Sequence, residues 1–142
     1  MIRTFEENDL SVVMQIWLDT NIKTHFFIPK GYWTDNYEMV RSVLPQAEVY
    51  VYEDDATKQI NGFIGLSNDY IEGIFVKEGV QSNGIGKQLL EYAKCVKSNM
   101  RLCVYQKNTR AIQFYQREEF VIQSENIDEN TNQNEYIMIW KK

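Results

Sequence analysis

Apolar residues in the first third of the chain recur with the spacing of amphipathic helices. One stripe consists of Leu10, Val13, Met14 and Trp17. Asn8 or Asp9 can cap the helix that carries it, because a short polar side chain accepts a hydrogen bond from an unpaired N–H of the first turn. A second stripe consists of Tyr37, Val40 and Leu44. It predicts a helix that starts at Thr34 or Asp35 and ends at Pro45, after an aromatic turn written THFFIPKGYW.

After residue 47 the apolar period changes to two, which is typical of strands. With a short strand near the start, the predicted strands are 2–5, 48–53, 60–67, 70–76, 102–105, 120–123 and 136–140. A third helical stripe consists of Leu89, Ala93, Val96 and Met100. Asn108 or Thr109 can cap a fourth helix that runs to about Arg117, and the polar segment 125–133 is predicted as a turn. This order mixes hairpins with helical crossovers, so we expect an α/β (α+β mixed) fold with one mixed sheet.

Length and composition fit one soluble domain that spans residues 1–142. The chain is 44% apolar and 25% charged, and its aromatic residues can fill a sizeable core. The opening residues, MIRTFEENDL, lack the apolar segment of a signal peptide, and no run is long enough to cross a membrane. Cys95 and Cys103 match no metal-binding or redox spacing. We therefore expect a cytoplasmic protein with reduced thiols, no bound metal and no membrane partner.

The charge of the chain is unevenly distributed. The net charge is −5, which argues against a nucleic-acid partner. Residues 77–110 nevertheless hold seven basic and two acidic side chains, whereas the rest of the chain holds eight basic and eighteen acidic ones. The basic segment suits an anionic ligand, and the acidic remainder suits a cationic partner.

The basic segment contains a glycine loop, VQSNGIGKQLL, at residues 80–90. Backbone N–H groups at a helix start lack partners, and glycine lets phosphate oxygens approach them. Gln81 and Gln88 stand where a P-loop needs Gly and Ser or Thr, and Leu89 stands where a dinucleotide fingerprint needs its third Gly. The pattern that remains is Gln-x-x-Gly-x-Gly, formed by Gln81, Gly84 and Gly86.

A second signature lies at residues 108–120, written NTRAIQFYQREEF. Together with the loop it resembles the GNAT superfamily of N-acetyltransferases, whose pattern is Asn-x-x-Ala-x-x-Phe-Tyr-x-x-x-Gly-Phe. The matching residues are Asn108, Ala111, Phe114, Tyr115 and Phe120. The run NIKTHFFIPKGYW adds a similarity to small bacterial GNAT proteins of the lysine- or protein-acetylating kind. Glu119 stands where the family usually has Gly, which would cost about 1 kcal/mol in a left-handed turn.

The resemblance implies a GNAT fold, in which a mostly antiparallel sheet of about seven strands carries about four helices. The sheet would splay between strands 70–76 and 101–105, and acetyl-CoA would bind there as acyl donor. The backbone of Ile74, Phe75 and Val76 would hold its pantetheine arm. Its pyrophosphate would bind the loop residues Gln81, Ser82, Asn83, Gly84, Ile85, Gly86 and Lys87. Asn108, Phe114 and Tyr115 complete the implied donor site.

Candidate catalytic and acceptor residues follow from the same resemblance. Tyr115 matches the family tyrosine that protonates the departing thiolate, although it also suits ordinary helix packing. Glu72 precedes Ile74 by two, so strand alternation predicts that both point to one face. Glu72 is then either a base that acts through water or a plain surface carboxylate, and the only histidine is either a base or a structural residue. The implied acceptor site consists of His25, Phe27, Tyr32 and Tyr70.

The amine acceptor is left open between a protein lysine, a protein N-terminus and a small cationic amine. No cysteine lies in the two motifs as an acyl carrier, so we expect direct attack in a ternary complex. Two alternatives remain: a GNAT enzyme that uses another acyl-CoA, and a non-catalytic acyl-CoA sensor. The chain is compatible with a monomer or a homodimer.

Overall fold

The computed structural model describes residues 1–142. Its strands are β1 (Ile2–Thr4), β2 (Glu48–Glu53), β3 (Ile60–Ser67), β4 (Tyr70–Val76), β5 (Asn99–Tyr105), β6 (Val121–Asp128) and β7 (Gln133–Lys141). Its α-helices are α1 (Leu10–Thr24), α2 (Lys30–Val43), α3 (Ile85–Val96) and α4 (Thr109–Arg117). Short 3₁₀ helices at Glu7–Asp9 and Leu44–Gln46 precede α1 and follow α2. The predicted mixed α/β class and element order are confirmed.

The seven strands form one sheet in the order β1-β2-β3-β4-β5-β7-β6. All neighbours are antiparallel except β4 and β5, which are parallel and pair only where Tyr70 lies opposite Arg101. Beyond that pair the two strands diverge. Backbone groups on this edge of β4 therefore face open space, where a ligand can satisfy them. The splay predicted between 70–76 and 101–105 is confirmed.

A β-bulge interrupts the register between β3 and β4. Leu66 lies opposite Ile71, whereas the next pair joins Gly65 to Gly73. Glu72 is therefore the extra residue on β4, and the alternation of side chains is broken at that point. The bulge lies close to the splay, so it changes the direction of β4 as the strand enters the open region.

Two apolar clusters cover the two faces of the sheet. One joins Ile64 of β3 to α3 and α4, with the buried members Leu89, Leu90, Ile112, Tyr115 and Phe120. The other joins Phe63 to α1 and α2, with the buried members Val13, Met14, Trp17 and Trp33. Neighbouring β3 residues thus serve opposite faces, as strand geometry requires. Burial of each large side chain contributes roughly 1.5–3 kcal/mol, so the two helical layers hold the strands on either side of the splay in place.

Three predicted boundaries are wrong: the start of the second helix, the end of the third helix, and the extent of the turn at 125–133. The second helix begins at Lys30, not at Thr34 or Asp35, because Pro29 stands at its N-cap with φ −54° and accepts a hydrogen bond from the Tyr32 N–H. Met100 belongs to β5, since Lys97 is already extended with φ −123° and ends α3.

The polar segment 125–133 is mostly strand, because β6 and β7 continue through it as paired partners from Val121↔Ile139 to Asp128↔Gln133. The exposed face of this hairpin is polar, so no apolar alternation marked it in the sequence.

Glu119 adopts the conformation that its glycine counterpart would favour. Its φ is 74°, in the left-handed region. The turn is closed by the Phe120 N–H, which donates to the Tyr115 carbonyl at 2.9 Å, and Phe120 is buried against the core. Burial of Phe120 therefore holds this turn in place despite the cost of a left-handed Glu.

Candidate active site

A cavity of about 1200 Å³ occupies the splay between β4 and β5. It is bordered by the second half of β4, the glycine loop, α4, the C-terminal half of α1, and the facing ends of β6 and β7. One end of the cavity lies at the glycine loop, and we call it the donor end. The other lies between the α1–α2 connection and the β6–β7 hairpin, and we call it the acceptor end.

The donor end offers a row of unpaired backbone donors. From Gln81 to Lys87, no N–H has an acceptor within the protein, and the first paired donor is Gln88, which bonds to the Gly84 carbonyl at 3.0 Å. Gly84 caps α3 with φ 79°, and Ser82 is also left-handed with φ 70°. These conformations turn the loop so that its N–H groups and the positive end of the α3 dipole lie together, which suits a phosphate.

Side chains close the loop from both sides. The Gln81 amide donates to the Val76 carbonyl at 3.0 Å, which holds the start of the loop against the end of β4. Arg110 donates to the Ser82 hydroxyl at 2.9 Å and lies on the cavity wall. Lys87, by contrast, is within 3.9 Å of the Glu118 carboxylate, so part of its charge is balanced within the protein.

The start of α4 carries Asn108 as a capping residue. Its side-chain oxygen accepts a hydrogen bond from the Ala111 N–H at 3.2 Å, which stabilises the helix by about 1 kcal/mol. Phe114 packs beside the loop helix, with its ring 3.7 Å from where a Cβ on Gly86 would stand. Asn108 and Phe114 therefore lie on the side of the cavity that faces the loop.

Tyr115 lies deeper in the same helix and borders the cavity, with a residue exposure of 8%. Its ring contacts those of Phe114 and Phe120, with centroids 5.2 Å and 5.5 Å away. Burial raises the pKa of Tyr115 above its ordinary value, because the phenolate would lose its hydration. The phenol is therefore protonated at neutral pH, which is the state that a proton donor requires.

The acceptor end is aromatic and acidic. The His25 ring stacks on Trp33, with centroids 5.4 Å apart, and meets Phe27 and Tyr105 edge to face. Tyr105 donates to the Asp128 carboxylate at 2.7 Å. The carboxyl-bearing residues on the wall toward this end are Glu72, Asp128 and Glu135. Such a surface favours a positively charged ligand.

Tyr70 and Cys103 face each other across the narrow end of the splay. Burial raises the pKa of the Tyr70 phenol, and the neighbouring Cys103 thiol raises it further. The Arg101 guanidinium lies 4.8 Å from the Tyr70 ring centroid. One face of this ring is thus already covered by a cation of the protein itself.

Comparisons with known proteins agree with this geometry. A family model described as an acetyltransferase (GNAT) domain matches residues 45–122. The peptidyl-lysine N-acetyltransferase YiaC of Escherichia coli (strain K12) is 32% identical, and the match covers 99% of this chain and 96% of YiaC. The chain belongs to the GNAT acetyltransferase family. As a GNAT member it is an N-acetyltransferase whose acyl donor is acetyl-CoA.

Solved GNAT structures share the fold. The solution structure of apo YjaB from Escherichia coli superposes with a TM-score of 0.87 at 25% identity, covering 99% of this chain and 96% of that one. The structure of yncA from Salmonella typhimurium with its cofactor acetyl-CoA superposes with a TM-score of 0.69 at 15% identity, covering 99% of this chain and 92% of that one. The latter likeness concerns the fold alone.

Most residues that the sequence pointed to line the GNAT cavity. Those on its wall are His25, Tyr32, Tyr70, Glu72, Ile74, Phe75, Val76, Gln81, Ser82, Gly84, Ile85, Gly86, Lys87, Asn108, Phe114 and Tyr115. Asn83 and Phe27 are not on the wall. Phe27 instead packs behind it, against the rings of His25 and Tyr105.

The predicted shared face of Glu72 and Ile74 is wrong. Ile74 packs against the α3–α4 cluster. The Glu72 Cβ lies 3.8 Å from where a Cβ on Gly65 would stand, and Gly65 shares its face with Phe63, which packs against α1 and α2. The bulge at Glu72 breaks the alternation, so the two side chains approach the splay from opposite faces.

Several wall residues were missed by sequence reasoning. They include Cys103, Tyr105, Arg110, Asp128 and Glu135. Arg110 had a usable signal, since it lies in the second signature and in the basic segment. Asp128 and Glu135 had none, because they belong to a polar hairpin whose place beside β5 depends on sheet order.

Two further findings concern the whole chain. No group of three or more His, Cys, Asp or Glu side chains is arranged to hold a metal ion. None of the helices is both long enough and apolar enough to span a membrane.

Proposed function

We propose that this GNAT enzyme transfers the acetyl group of acetyl-CoA to the side-chain amine of lysine in a peptide or protein. The observation that carries the proposal is a single cavity that joins unpaired loop donors at one end to carboxylates and aromatic rings at the other. The 32% identity to a peptidyl-lysine N-acetyltransferase supports lysine as the acceptor.

The donor end holds acetyl-CoA by its phosphates and its amide-containing arm. The N–H groups from Gln81 to Lys87 bind the pyrophosphate, and Arg110 adds positive charge beside them. The unpaired edge of β4 at 74–76 binds the arm as an extra strand would. Asn108 and Phe114 contact the arm from the opposite wall. Acetyl-CoA supplies the activated thioester.

Tyr115 is the general acid. As the amine nitrogen forms its bond to the acetyl carbon and the C–S bond breaks, the phenol gives its proton to the departing sulfur. A backbone N–H on the open edge of β4 stabilises the oxyanion. Glu72 takes the proton that the amine loses, through a water molecule, from the α1–α2 face of the splay. Attack is direct, within a ternary complex of enzyme, acetyl-CoA and amine.

The acceptor end receives the cationic side chain of lysine. Glu135 and Asp128 attract the ammonium group, and Tyr32 and Trp33 pack along its aliphatic stem. His25 and Tyr70 border the same space. We also propose that residues 1–142 act as one catalytic domain and that the enzyme works in the cytoplasm.

An acceptor screen with purified enzyme and acetyl-CoA tests the substrate class. Thiol release is followed over a lysine peptide, the same peptide with Nε-acetyl-lysine, spermidine and an aminoglycoside. We expect turnover with the lysine peptide alone, and a mass increase of one acetyl group that fragmentation locates on lysine Nε. Faster turnover of spermidine or the aminoglycoside would contradict a peptidyl acceptor.

The charge of the acceptor end is tested by Glu135→Gln. Loss of one carboxylate near the ammonium should raise KM for the lysine peptide about three- to tenfold and leave KM for acetyl-CoA unchanged. Glu125→Gln is the matched control, because Glu125 lies on the exposed face of β6 and pairs with Gln106 outside the cavity. Equal effects of the two variants would show that the carboxylate of Glu135 does not bind the acceptor.

A further inference from the structure

His25 lies where the end of α1 meets the start of α4. It is the C-cap of α1, where its N–H donates to the Asn21 carbonyl at 2.9 Å. The rings of Trp33, Phe27 and Tyr105 surround its imidazole. Both ring nitrogens are nevertheless in contact with polar partners, so the side chain is enclosed but not isolated.

The hydrogen-bond roles around His25 are determined by its partners. Asn108 accepts a hydrogen bond from the Ala111 N–H through its side-chain oxygen, so its NH₂ group is the part that faces His25. The distance from Asn108 Nδ2 to His25 Nε2 is 3.4 Å. Nε2 must therefore be the acceptor, and the proton of a neutral ring lies on Nδ1. Nδ1 is 3.1 Å from the side-chain oxygen of Asn21, which is an acceptor.

A charged ring would not fit this arrangement. An imidazolium carries N–H groups on both nitrogens, so its Nε2–H would meet the NH₂ group of Asn108, donor against donor. The aromatic surroundings act in the same direction, because burial lowers the pKa of His25 to about 4. The network of Asn21, His25 and Asn108 is therefore compatible with the neutral ring only.

We propose that His25 is a positioning residue that, as a neutral acceptor at Nε2, orients the side-chain amide of Asn108 for the arm of acetyl-CoA. The inference rests on the proposed function, in which Asn108 contacts that arm. It also excludes His25 as the general base, since the lone pair a base would use is engaged by Asn108. The α1–α2 connection, which borders the acceptor end, thus sets the geometry of a donor-end residue.

Three substitutions separate positioning from the alternatives. His25→Gln places an amide oxygen near the position of Nε2 and should keep the contact with Asn108. His25→Asn reaches only as far as Nδ1 and should keep the contact with Asn21 alone. His25→Phe keeps an aromatic ring against Trp33 and loses both hydrogen bonds.

Calorimetry measures the acetyl-CoA affinity of each variant, and steady-state kinetics measure its kcat. His25→Phe and His25→Asn should weaken acetyl-CoA binding about three- to tenfold, the worth of one hydrogen bond, with kcat reduced by less. His25→Gln should bind within about twofold of the unchanged protein. A kcat loss of about 100-fold or more at unchanged acetyl-CoA affinity would instead identify His25 as a base and overturn the proposal. Acetyl-CoA affinities that are the same in all three variants would overturn it too.

A direct reading of the ring needs no variant. His25 is the only histidine, so its two ring nitrogen signals in a long-range ¹H–¹⁵N NMR spectrum need no assignment. We expect the pattern of a neutral ring protonated at Nδ1 at pH 6.5, and a change in the Nε2 signal in Asn108→Ala. A ring protonated at Nε2, or an Nε2 signal unaffected by that substitution, would overturn the proposal.

The two hypotheses fail in different ways. If the unchanged protein does not bind acetyl-CoA, the proposed donor site itself is wrong. If it binds acetyl-CoA normally and the His25 variants bind it equally well, only the positioning role is wrong.

Discussion

The two ends of the cavity recognise their ligands by different means. The phosphate-binding part of the donor end is built from backbone groups of one short segment, the N–H groups from Gln81 to Lys87, which includes two left-handed residues. The acceptor end is built from side chains that come from distant parts of the chain, such as Trp33, Glu72 and Glu135. A contiguous segment therefore forms the phosphate site of the donor end, whereas the folded sheet assembles the acceptor end.

This difference follows from what each end has to bind. A pyrophosphate is satisfied by backbone N–H groups, which every residue except proline supplies, provided that glycine permits the required turn. An amine acceptor is selected by charge and shape, which only side chains provide. The donor end can therefore keep a short sequence signature, whereas the acceptor end can change residue by residue without leaving a common pattern.

Tyr115→Phe should have the largest effect of these substitutions on kcat. That result would place the acetyl-transfer step between the donor end and the acceptor end. Loss of the phenolic proton should reduce kcat about 100-fold or more, with acetyl-CoA affinity nearly unchanged. Tyr92→Phe is the control, because Tyr92 packs on Tyr50 outside the cavity. Thiol release and calorimetry measure the two quantities. Full turnover in Tyr115→Phe would show that another group protonates the sulfur.

Stability between pH 5 and 7 tests the neutral histidine that joins the two ends. The pKa of His25 is lowered to about 4 in the folded protein, below its ordinary value of 6.5. The unfolded chain therefore binds more protons between these values, and the contribution of His25 to stability is complete above pH 6.5 and is lost as pH falls toward 4. At pH 5 the loss should be at most about 2 kcal/mol.

Urea unfolding of the unchanged protein and His25→Phe at pH 5, 6 and 7 measures this dependence. The difference in stability between the two proteins should shrink as the pH falls, because the variant lacks the titrating ring. Parallel pH profiles would show that the ring is not held neutral.

Gly84→Ala should weaken the donor end alone. Alanine at φ 79° costs about 1 kcal/mol, and relaxation of the strained turn would misalign the loop N–H groups. No protein atom lies within 4 Å of the added Cβ, so the fold tolerates it. We expect acetyl-CoA affinity to fall about tenfold, with KM for the lysine peptide unchanged. Gly31→Ala, also free of close neighbours but within α2, should leave both values unchanged. A matching rise in peptide KM would contradict the separation of the two ends.

Glu119→Gly should have the smallest effect, on stability only. Glycine accepts φ 74° without strain, so the free energy of unfolding should rise by about 1 kcal/mol. Asn68→Gly, with φ 56°, should gain less because Asn tolerates this region. Thermal unfolding measures both. Changed acetyl-CoA affinity in Glu119→Gly would show that the turn after α4 also adjusts the donor end.

Sequence reasoning succeeded where a signal is local and failed where it depends on remote partners. The loop at 81–87 and Asn108 could be predicted to lie together only through the family resemblance, but each has a local physical reason to begin a helix. The bulge at Glu72 had no such signal, because it is a mismatch in the pairing of β3 with β4. Met100 fits a helical stripe in the sequence, but pairing with Trp140 of β7 places it in β5.

The sequence by itself determined the order of the elements, the glycine turn that leaves N–H groups unpaired, and the capped helix that carries Asn108 and Tyr115. These depend on residues a few positions apart. Only the tertiary structure decided which carboxylates reach the cavity, on which face Glu72 stands, and that His25 meets Asn108. Those contacts join segments that are far apart in the chain, so they form only when the sheet and its two helical layers have assembled.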